Sequence, residues 1–507
     1  MDFTELLRGA EVLSQDGNAT VRGLEYDSRR IKNGDVFVAI RGGSSDGNRF
    51  IDRAIASGAI AVVTDSPEEK QRKGTAWAQV PNGRVALAQL SRDFYGAPAD
   101  KLGITGITGT NGKSTTAFIL EAILAAAGRK STLVGTIEYH VAGKILPAPH
   151  TTPESLDLNR IMSEAVEDGS SEAVMEVSSH ALAQQRVFGI SFDVAVFTNL
   201  TRDHLDYHRT MEEYFSSKQI LFRGCGSEPP RVSVLNIDDP QASHLAELSS
   251  KVGSEVLTYG LDQGDFRVAR LEISSSGTKF DMITPQETLN IFSPLIGGVN
   301  VYNILAASAA AHARGCPADA LTSGIAALSR VPGRFERVDC RQPFTVVVDY
   351  AHTDDALRNL TALAREFVRQ AGEQGRVITV FGCGGDRDRS KRPLMGEAAG
   401  HGSDFVVLTS DNPRSEDPLA IINDALVGLQ RSGAEYVMEP DRNAAINFAL
   451  KKAAPGDIVL IAGKGHEKVQ VTREGSLPFD DVEVARNNLH AAGYACDSAS
   501  APVGKLS

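Results

Sequence analysis

Leu102-Gly103-Ile104-Thr105-Gly106-Ile107 is a short apolar run that leads straight into Thr108-Gly109-Thr110-Asn111-Gly112-Lys113-Ser114-Thr115, after which the chain reads as a helix over 115–127 closed by Gly128. Strand, glycine-rich loop and helix in that order make a phosphate cradle. The glycines let backbone N–H groups close on phosphate oxygens, and the helix N-terminus adds its dipole. Lys113 is placed to reach the β- and γ-phosphates, and the Ser114 hydroxyl to ligate Mg²⁺. The spacing departs from the standard Walker pattern, because Ile107 stands where its first glycine would be and Gly109 comes two places later. A tight turn capping a helix is the plain alternative, but Gly-Lys-Ser between strand and helix favours ATP. A switch GTPase would carry a guanine-reading Asn-Lys-x-Asp segment after a later strand. Asn236-Ile237-Asp238-Asp239 holds such a position without the lysine.

Outward from this loop the same rhythm continues. Apolar strands are predicted over 173–177, 193–198 and 232–236, then over 345–349, 377–381, 405–409 and 458–462, with helices over 419–429 and 444–452 between the later ones. Continuous apolar strands alternating with amphipathic helices imply parallel sheets covered on both faces, an α/β fold. Residues 266–296 read as an antiparallel extension, and strands are expected over 35–40 and 59–64. Breaks rich in turn-forming residues lie at 95–100 and 331–334. At about 150 residues per domain, 507 residues allow roughly three. The expectation is a domain over 1–98, a central P-loop ATPase domain over 99–331 and a Rossmann-like domain over 332–507, with 497–507 disordered.

Composition narrows the function. Lys and Arg number 52 against 64 Asp and Glu, a net charge of −12, so the basic surface of a nonspecific nucleic-acid binder is missing. At 42% apolar and 23% charged residues the chain is an ordinary globular one. Five cysteines, odd in number and without a Cys-x-x-Cys pair, exclude a zinc ribbon and argue against a disulfide framework, which points to a reducing cytoplasm. The N-terminus lacks the basic and apolar regions of a secretory signal, and no apolar run reaches about 18 residues. A cytoplasmic protein without membrane insertion, and a monomer, is expected.

In parallel sheets ligands bind beyond the C-terminal strand ends, and here polar residues collect there. Glu176 closes an apolar strand, a costly place for a lone carboxylate. A hydrogen-bonded buried Glu is the plain alternative, and a Mg²⁺ ligand facing the phosphate loop is favoured. His204-Leu205-Asp206-Tyr207-His208 superficially resembles a zinc site, but downstream of a phosphate loop His204 suits a second cation. Lys218, in Tyr214-Phe215-Ser216-Ser217-Lys218, reads as a solvated helix lysine. After the strand over 377–381 come Arg387, Arg389, Lys391 and Arg392, four cations in six positions, with glycines that do not fit Gly-x-Gly-x-x-Gly. Asp411-Asn412-Pro413-Arg414 follows the next strand, and its Arg could clamp a carboxylate bidentately. An amino-acid substrate would explain both segments.

Taken together, these segments make the sequence similar to the Mur ligases of peptidoglycan synthesis over nearly its whole length. The motifs stand in family order: 108–116, Glu176-Val177-Ser178-Ser179-His180, 199–208, Pro332-Gly333-Arg334-Phe335-Glu336, Asp349-Tyr350-Ala351-His352, 382–387, 411–414 and Gly463-Lys464-Gly465-His466-Glu467. The shifted loop is the family's own form.

The resemblance implies an ATP-dependent amide ligase that works through an acyl phosphate, joining UDP-N-acetylmuramoyl-L-alanyl-D-glutamate to meso-diaminopimelate. It implies ATP contacts from Gly109, Thr110, Asn111, Gly112, Lys113, Ser114 and Thr115, with Asn303, Arg334 and Asp349. It places the UDP end at Ser28, Gly43, Ser44 and Ser45, and the muramoyl dipeptide at Thr151, Thr152, Ser178, Gln184 and Arg186. Diaminopimelate falls to Arg387, Asp411, Asn412, Pro413, Arg414, Gly463 and Glu467. Lys113, Lys218, His204 and Glu176 become the catalytic set, with Ser114, Glu176, His204 and a carbamylated Lys218 holding Mg²⁺. Relatives that add lysine generally lack the intact Asp-Asn-Pro-Arg, so Arg414 favours diaminopimelate. The rivals are a lysine-adding, dipeptide-adding or folylpolyglutamate synthase-like ligase, and a P-loop switch or regulatory ATPase that makes no product.

Overall fold

The computed structural model describes residues 1–42, 45–370 and 375–496. Gly43, Ser44 and the tail over 497–507 therefore lie outside the described residues. The strand before the phosphate loop, Gly103–Thr108, sits inside an eight-stranded sheet whose spatial order is Glu255–Tyr259, Val232–Asn236, Val194–Phe197, Gly103–Thr108, Glu172–Glu176, Ser131–Val134, Glu138–Val141 and Lys144–Pro147. The first six run parallel, and the last two turn back as an antiparallel hairpin. Register sets the site. Glu176 lies beside Ile107, and Phe197 beside Thr108, so three neighbouring strands end level at one edge. Helices Lys113–Ala126 and Gly298–Ala313 cover one face through Leu120, Ile123, Ile304 and Leu305, while Leu158, Met162, Leu221 and Phe222 cover the other. Burial on both faces is why these strands read as unbroken apolar runs.

Residues 267–293 form the expected antiparallel extension, Arg267–Ser274, Gly277–Ile283 and Thr288–Ser293. The C-terminal sheet runs Glu336–Arg337, Thr345–Asp349, Ile458–Ala462, Val377–Phe381, Phe405–Leu408 and Glu435–Met438, parallel except for the short first strand. Beneath it Arg442, fully buried, pairs with Asp481 at 2.7 Å and donates to the Ala462 carbonyl, 3.0 Å away, so one guanidinium steadies a strand end that leads into the loops above. The N-terminal sheet orders Ser14–Asp16, Ala76–Gln79, Ala61–Thr64, Asp35–Ala39 and Gly23–Glu25. Tyr26 donates to Asp157 at 2.7 Å and Arg84 to Glu154 at 2.9 Å, tying that sheet to the central one. Among the described residues no helix is long and apolar enough to cross a membrane.

The cysteine reading needs correction. Cys340 and Cys496 form a disulfide, while Cys225, Cys316 and Cys383 are free and buried. Helix Asp481–Ala491 packs Val482, Ala485 and Leu489 into the core that holds Val338 and Val346. That packing closes a sequence separation of 156 residues, which cysteine spacing alone could not reveal.

His140, on the hairpin, is clamped between Glu121 at 2.7 Å and Glu138 at 3.0 Å. Burial opposes its charge, but the two carboxylates outweigh burial and push its pKa up to about 10. A raised histidine adds its full stability below its unfolded pKa, near 6.5, and loses it as pH rises through the folded value. We expect His140→Gln to cost about 1–3 kcal/mol at mildly acid pH. In thermal unfolding the gap to wild type should close as pH approaches about 10.

Candidate active site

The phosphate loop leaves no room for side chains at its two glycine turns. Gly109 has φ +144° and Gly112 φ +89°, and an added Cβ would lie 1.9 Å from Thr198 Oγ1 or 2.4 Å from Asn303 Oδ1. The segment after strand Val194–Phe197 braces the loop. The Asn199 carbonyl accepts from Thr110 N–H and its Oδ1 from Asn111 N–H, both at 2.9 Å, and the Thr198 hydroxyl donates to the Asn111 carbonyl at 2.6 Å. Helix Lys113–Ala126 begins two residues earlier than predicted, and its cap, Gly112, supplies no side-chain acceptor to the first turn. Those N–H groups and the Lys113 ammonium, which donates to the Gly109 and Thr110 carbonyls, form an anion cradle.

A cleft of about 670 Å³ opens over the loop and collects most of the sequence-predicted residues. Its wall takes Thr110 through Thr115, Glu176, His204 and Asn303 from the central part, Thr151, Thr152, Ser178 and Arg186 beside them, and Arg334, Asp349 and Arg387 from the C-terminal part. Glu176 accepts from Thr136 N–H at 2.8 Å and from the Thr136 hydroxyl at 2.9 Å, so the plain reading of a satisfied carboxylate holds as far as it goes. Each oxygen keeps acceptor capacity toward the cleft. His204 takes a left-handed backbone, φ 56°, uncommon outside glycine and frequent at functional sites. Desolvation in the cleft outweighs the nearby Asp203 carboxylate and, with His180, Lys218 and Lys113 close by, holds the imidazole well below its usual range. A neutral ring is the ligating form.

Lys218 is not on the wall. It is 1% exposed, stacks over the Tyr214 ring at 4.3 Å and donates to the Gly109 carbonyl at 2.9 Å. Burial, with Lys113 alongside, drives its amine well below the ordinary lysine range. Among the described residues no three His, Cys, Asp or Glu side chains converge as a metal cage. Magnesium does not require one, since it is commonly held by one or two protein groups together with phosphate oxygens. Glu176, His204 and Ser114 around a phosphate cradle fit that mode.

Arg334 donates to Ser114 Oγ at 3.1 Å and stacks on Tyr350, while its buried Nη1 has no hydrogen-bond partner. A buried guanidinium donor left open beside a phosphate loop suits an anion. Asp349 accepts from Phe335 N–H at 2.6 Å and Ala351 N–H at 2.8 Å, so it shapes the Arg334 loop. Sequence reasoning passed over Asp355, which accepts from Asn111 at 3.0 Å, and Asp203, which lies 3.5 Å from Lys391 and 3.6 Å from His352. Both join the central and C-terminal parts. Burial works against the Asp203 charge, but His352, His204 and Lys391 hold its carboxyl well below the usual value.

Asp411, Asn412, Pro413, Arg414, Gly463 and Glu467 form a neighbouring group after strands Phe405–Leu408 and Ile458–Ala462, with Gly385 and Asp386 after the strand between them. Asn412 donates to Glu467 at 2.7 Å, and Arg414 donates to the Gly385 carbonyl at 2.7 Å. A Cβ on Gly463 would meet Asp411 at 2.6 Å, and one on Gly385 would meet the Pro413 carbonyl at 1.9 Å. Arg414 and Asp386 are both left-handed, at φ 53° and 52°. Burial and the neighbouring Arg387 charge lower the Arg414 pKa, and a carboxylate beside the two guanidiniums would relieve their repulsion. Gln184 is engaged by Arg186 at 2.8 Å, off the cleft wall. Ser28, buried, and Ser45, exposed, lie apart in connecting segments of the N-terminal part.

Comparison with known proteins matches three family models: the Mur ligase family catalytic domain at residues 20–95, the Mur ligase middle domain at 107–311, and the Mur ligase glutamate ligase domain at 333–465. The UDP-N-acetylmuramoyl-L-alanyl-D-glutamate–2,6-diaminopimelate ligase of Solibacter usitatus is 54% identical over 94% of this chain and 94% of its own. The chain belongs to the Mur ligase family. A solved structure of a ligase with that same name is 33% identical, with a TM-score of 0.66 over 98% of this chain and 100% of its own. The MurF ligase from Thermotoga maritima in complex with ADP shares the Mur ligase fold at 20% identity, TM-score 0.64, over 93% of this chain and 97% of its own.

For this Mur ligase we expect Arg334→Ala to weaken binding of a non-hydrolysable ATP analogue about 10- to 100-fold, the loss of one charge-assisted contact. Calorimetric titration would show it, with the thermal midpoint close to wild type.

Proposed function

We propose that this Mur ligase adds meso-diaminopimelate to UDP-N-acetylmuramoyl-L-alanyl-D-glutamate, converting ATP to ADP and phosphate, as a step of peptidoglycan precursor synthesis. The observation that carries the reading is a glycine-built phosphate loop that faces Arg387 across one interdomain cleft, with Arg414 close beside Arg387. The three largest of the five sheets support a division into domains over 1–98, 99–331 and 332–507, one for each substrate: the UDP-sugar peptide, ATP and the amino acid. A monomer working in the cytoplasm accords with this chemistry.

In the proposed reaction an oxygen of the D-Glu γ-carboxylate attacks the γ-phosphorus of ATP, and the bond to the ADP oxygen breaks. Carboxylates are poor acylating agents, and the acyl phosphate supplies a leaving group. The diaminopimelate amine then attacks the acyl carbon, loses a proton, and phosphate departs from the tetrahedral intermediate. Lys113 and Arg334 hold and neutralise the phosphates, while Thr152, Ser178 and Arg186 orient the peptide. Mg²⁺, when bound at Ser114, Glu176, His204 and a carbamylated Lys218, supplies charge neutralisation on the transferring phosphoryl group. Lys218 suits carbamylation because its burial favours the neutral amine, whose nitrogen adds to CO₂ and sheds a proton.

Phosphate release should require both the UDP-muramoyl dipeptide and diaminopimelate. L-lysine should replace diaminopimelate poorly in wild type, and Arg414→Ala should lose about 10-fold or more of that preference. Equal turnover of the two amino acids by wild type would overturn the substrate assignment, and release independent of both substrates would favour a nucleotide switch. Lys218→Ala should lose most activity, about 100-fold, and recover part of it with added short carboxylates. An unimpaired variant would exclude the carbamate.

A further inference from the structure

Beneath the loops assigned to diaminopimelate lies a cation that those assignments do not use. Lys464 follows strand Ile458–Ala462 and is fully buried. Its ammonium donates to Asn412 Oδ1 at 3.1 Å, Glu467 Oε2 at 2.8 Å and the Val469 carbonyl at 2.7 Å. An ammonium has three donors, and all three are engaged, so Lys464 has nothing left to offer a substrate directly. Two of its acceptors are side chains of the amino-acid loops.

The network fixes those side chains. Asn412 Oδ1 also accepts from Val471 N–H at 2.9 Å, and Asn412 Nδ2 donates to Glu467 Oε2 at 2.7 Å. A flipped Asn412 amide would set its NH₂ against both the ammonium and an N–H, so one orientation is imposed. Glu467 Oε2 takes both of these donors, which leaves Oε1, on a side chain 28% exposed, outside this network. Burying an ammonium is unfavourable unless its partners are this complete, and replacing a buried ion pair by apolar groups is often neutral or stabilising, so such a pair is weak evidence for a stabilising role.

We propose that Lys464 is a positioning residue for the amino-acid substrate. It locks Asn412 and Glu467 into one rigid unit, with a carboxylate oxygen presented to a substrate ammonium and the second Nδ2 hydrogen presented to a substrate carboxylate. This rests on the reading of the loops as the diaminopimelate site.

The test is steady-state phosphate release by the full-length Lys464→Met enzyme, each substrate varied in turn. The KM for diaminopimelate should rise about 10- to 100-fold, the scale of losing hydrogen bonds to a charged group. At saturation kcat should stay within about threefold, and the KM values for ATP and the UDP-muramoyl dipeptide should not move. Diaminopimelate should no longer raise the thermal midpoint, while ADP still does. Three KM values rising together, or a fall in kcat with an unchanged KM for diaminopimelate, would show a merely structural lysine and overturn the proposal. If Lys464→Met does not fold, Lys464→Gln, which keeps an amide donor, decides by the same comparison. If wild type is driven by another amino acid, the substrate assignment fails. The same KM split, measured with that amino acid, then still upholds the role of Lys464, and its absence overturns it.

Discussion

The phosphate loop keeps its shape because the neighbouring strand end holds it. Two of its N–H groups bond to Asn199, one of its carbonyls accepts from Thr198, and its glycine turns lie against Thr198 and Asn303 too closely for any side chain. This brace exists only because strands Gly103–Thr108 and Val194–Phe197 pair in parallel and end level. The braced segment runs on into Asp203 and His204, and Glu176 emerges level from the other side. Cradle, metal-ligating candidates and the contact to the C-terminal sheet thus share one register, which a slip of a single residue would break.

Across the cleft the C-terminal part meets the loop through a few polar contacts: Arg334 on Ser114, Asp355 on Asn111, Asp203 between His352 and Lys391. Contacts of this kind are weak singly and reversible together, the ordinary character of an interface between domains that can move. They also settle the electrostatics. The chain carries a net −12, yet the cleft wall carries Lys113, Arg186, Arg334 and Arg387 beside the backbone N–H groups of the phosphate loop. Net charge describes the outer surface, and a site works through a handful of oriented cations.

Much of this was legible in the sequence, for local reasons. The strand, loop and helix around Lys113 follow from residue type and spacing, and the later parallel strands were found because burial on both faces leaves unbroken apolar runs. The strands of the N-terminal sheet at Ser14–Asp16 and Gly23–Glu25 are three residues each, too short for any periodicity. Lys218 sits on a helix whose pattern calls it solvated, yet it is buried, stacked on Tyr214 and bonded to the Gly109 carbonyl. Asp203, Lys464 and the Cys340–Cys496 bridge escaped for a common reason. Each has a partner that the fold brings from 52 to 188 positions away, which residue spacing does not encode.

The backbone at Arg414 bears on how such an enzyme can change. Its φ of 53° and the N–H it gives to the Val471 carbonyl hold a non-glycine residue in the left-handed region, where glycine, asparagine and aspartate sit with least strain and β-branched residues with most. The substitutions open to a lineage at this position are therefore filtered by loop conformation before they are filtered by substrate. Drift toward an amino acid without a second carboxylate would pass most easily through small polar residues or glycine. An apolar replacement such as valine or isoleucine would first need the loop itself to be rebuilt.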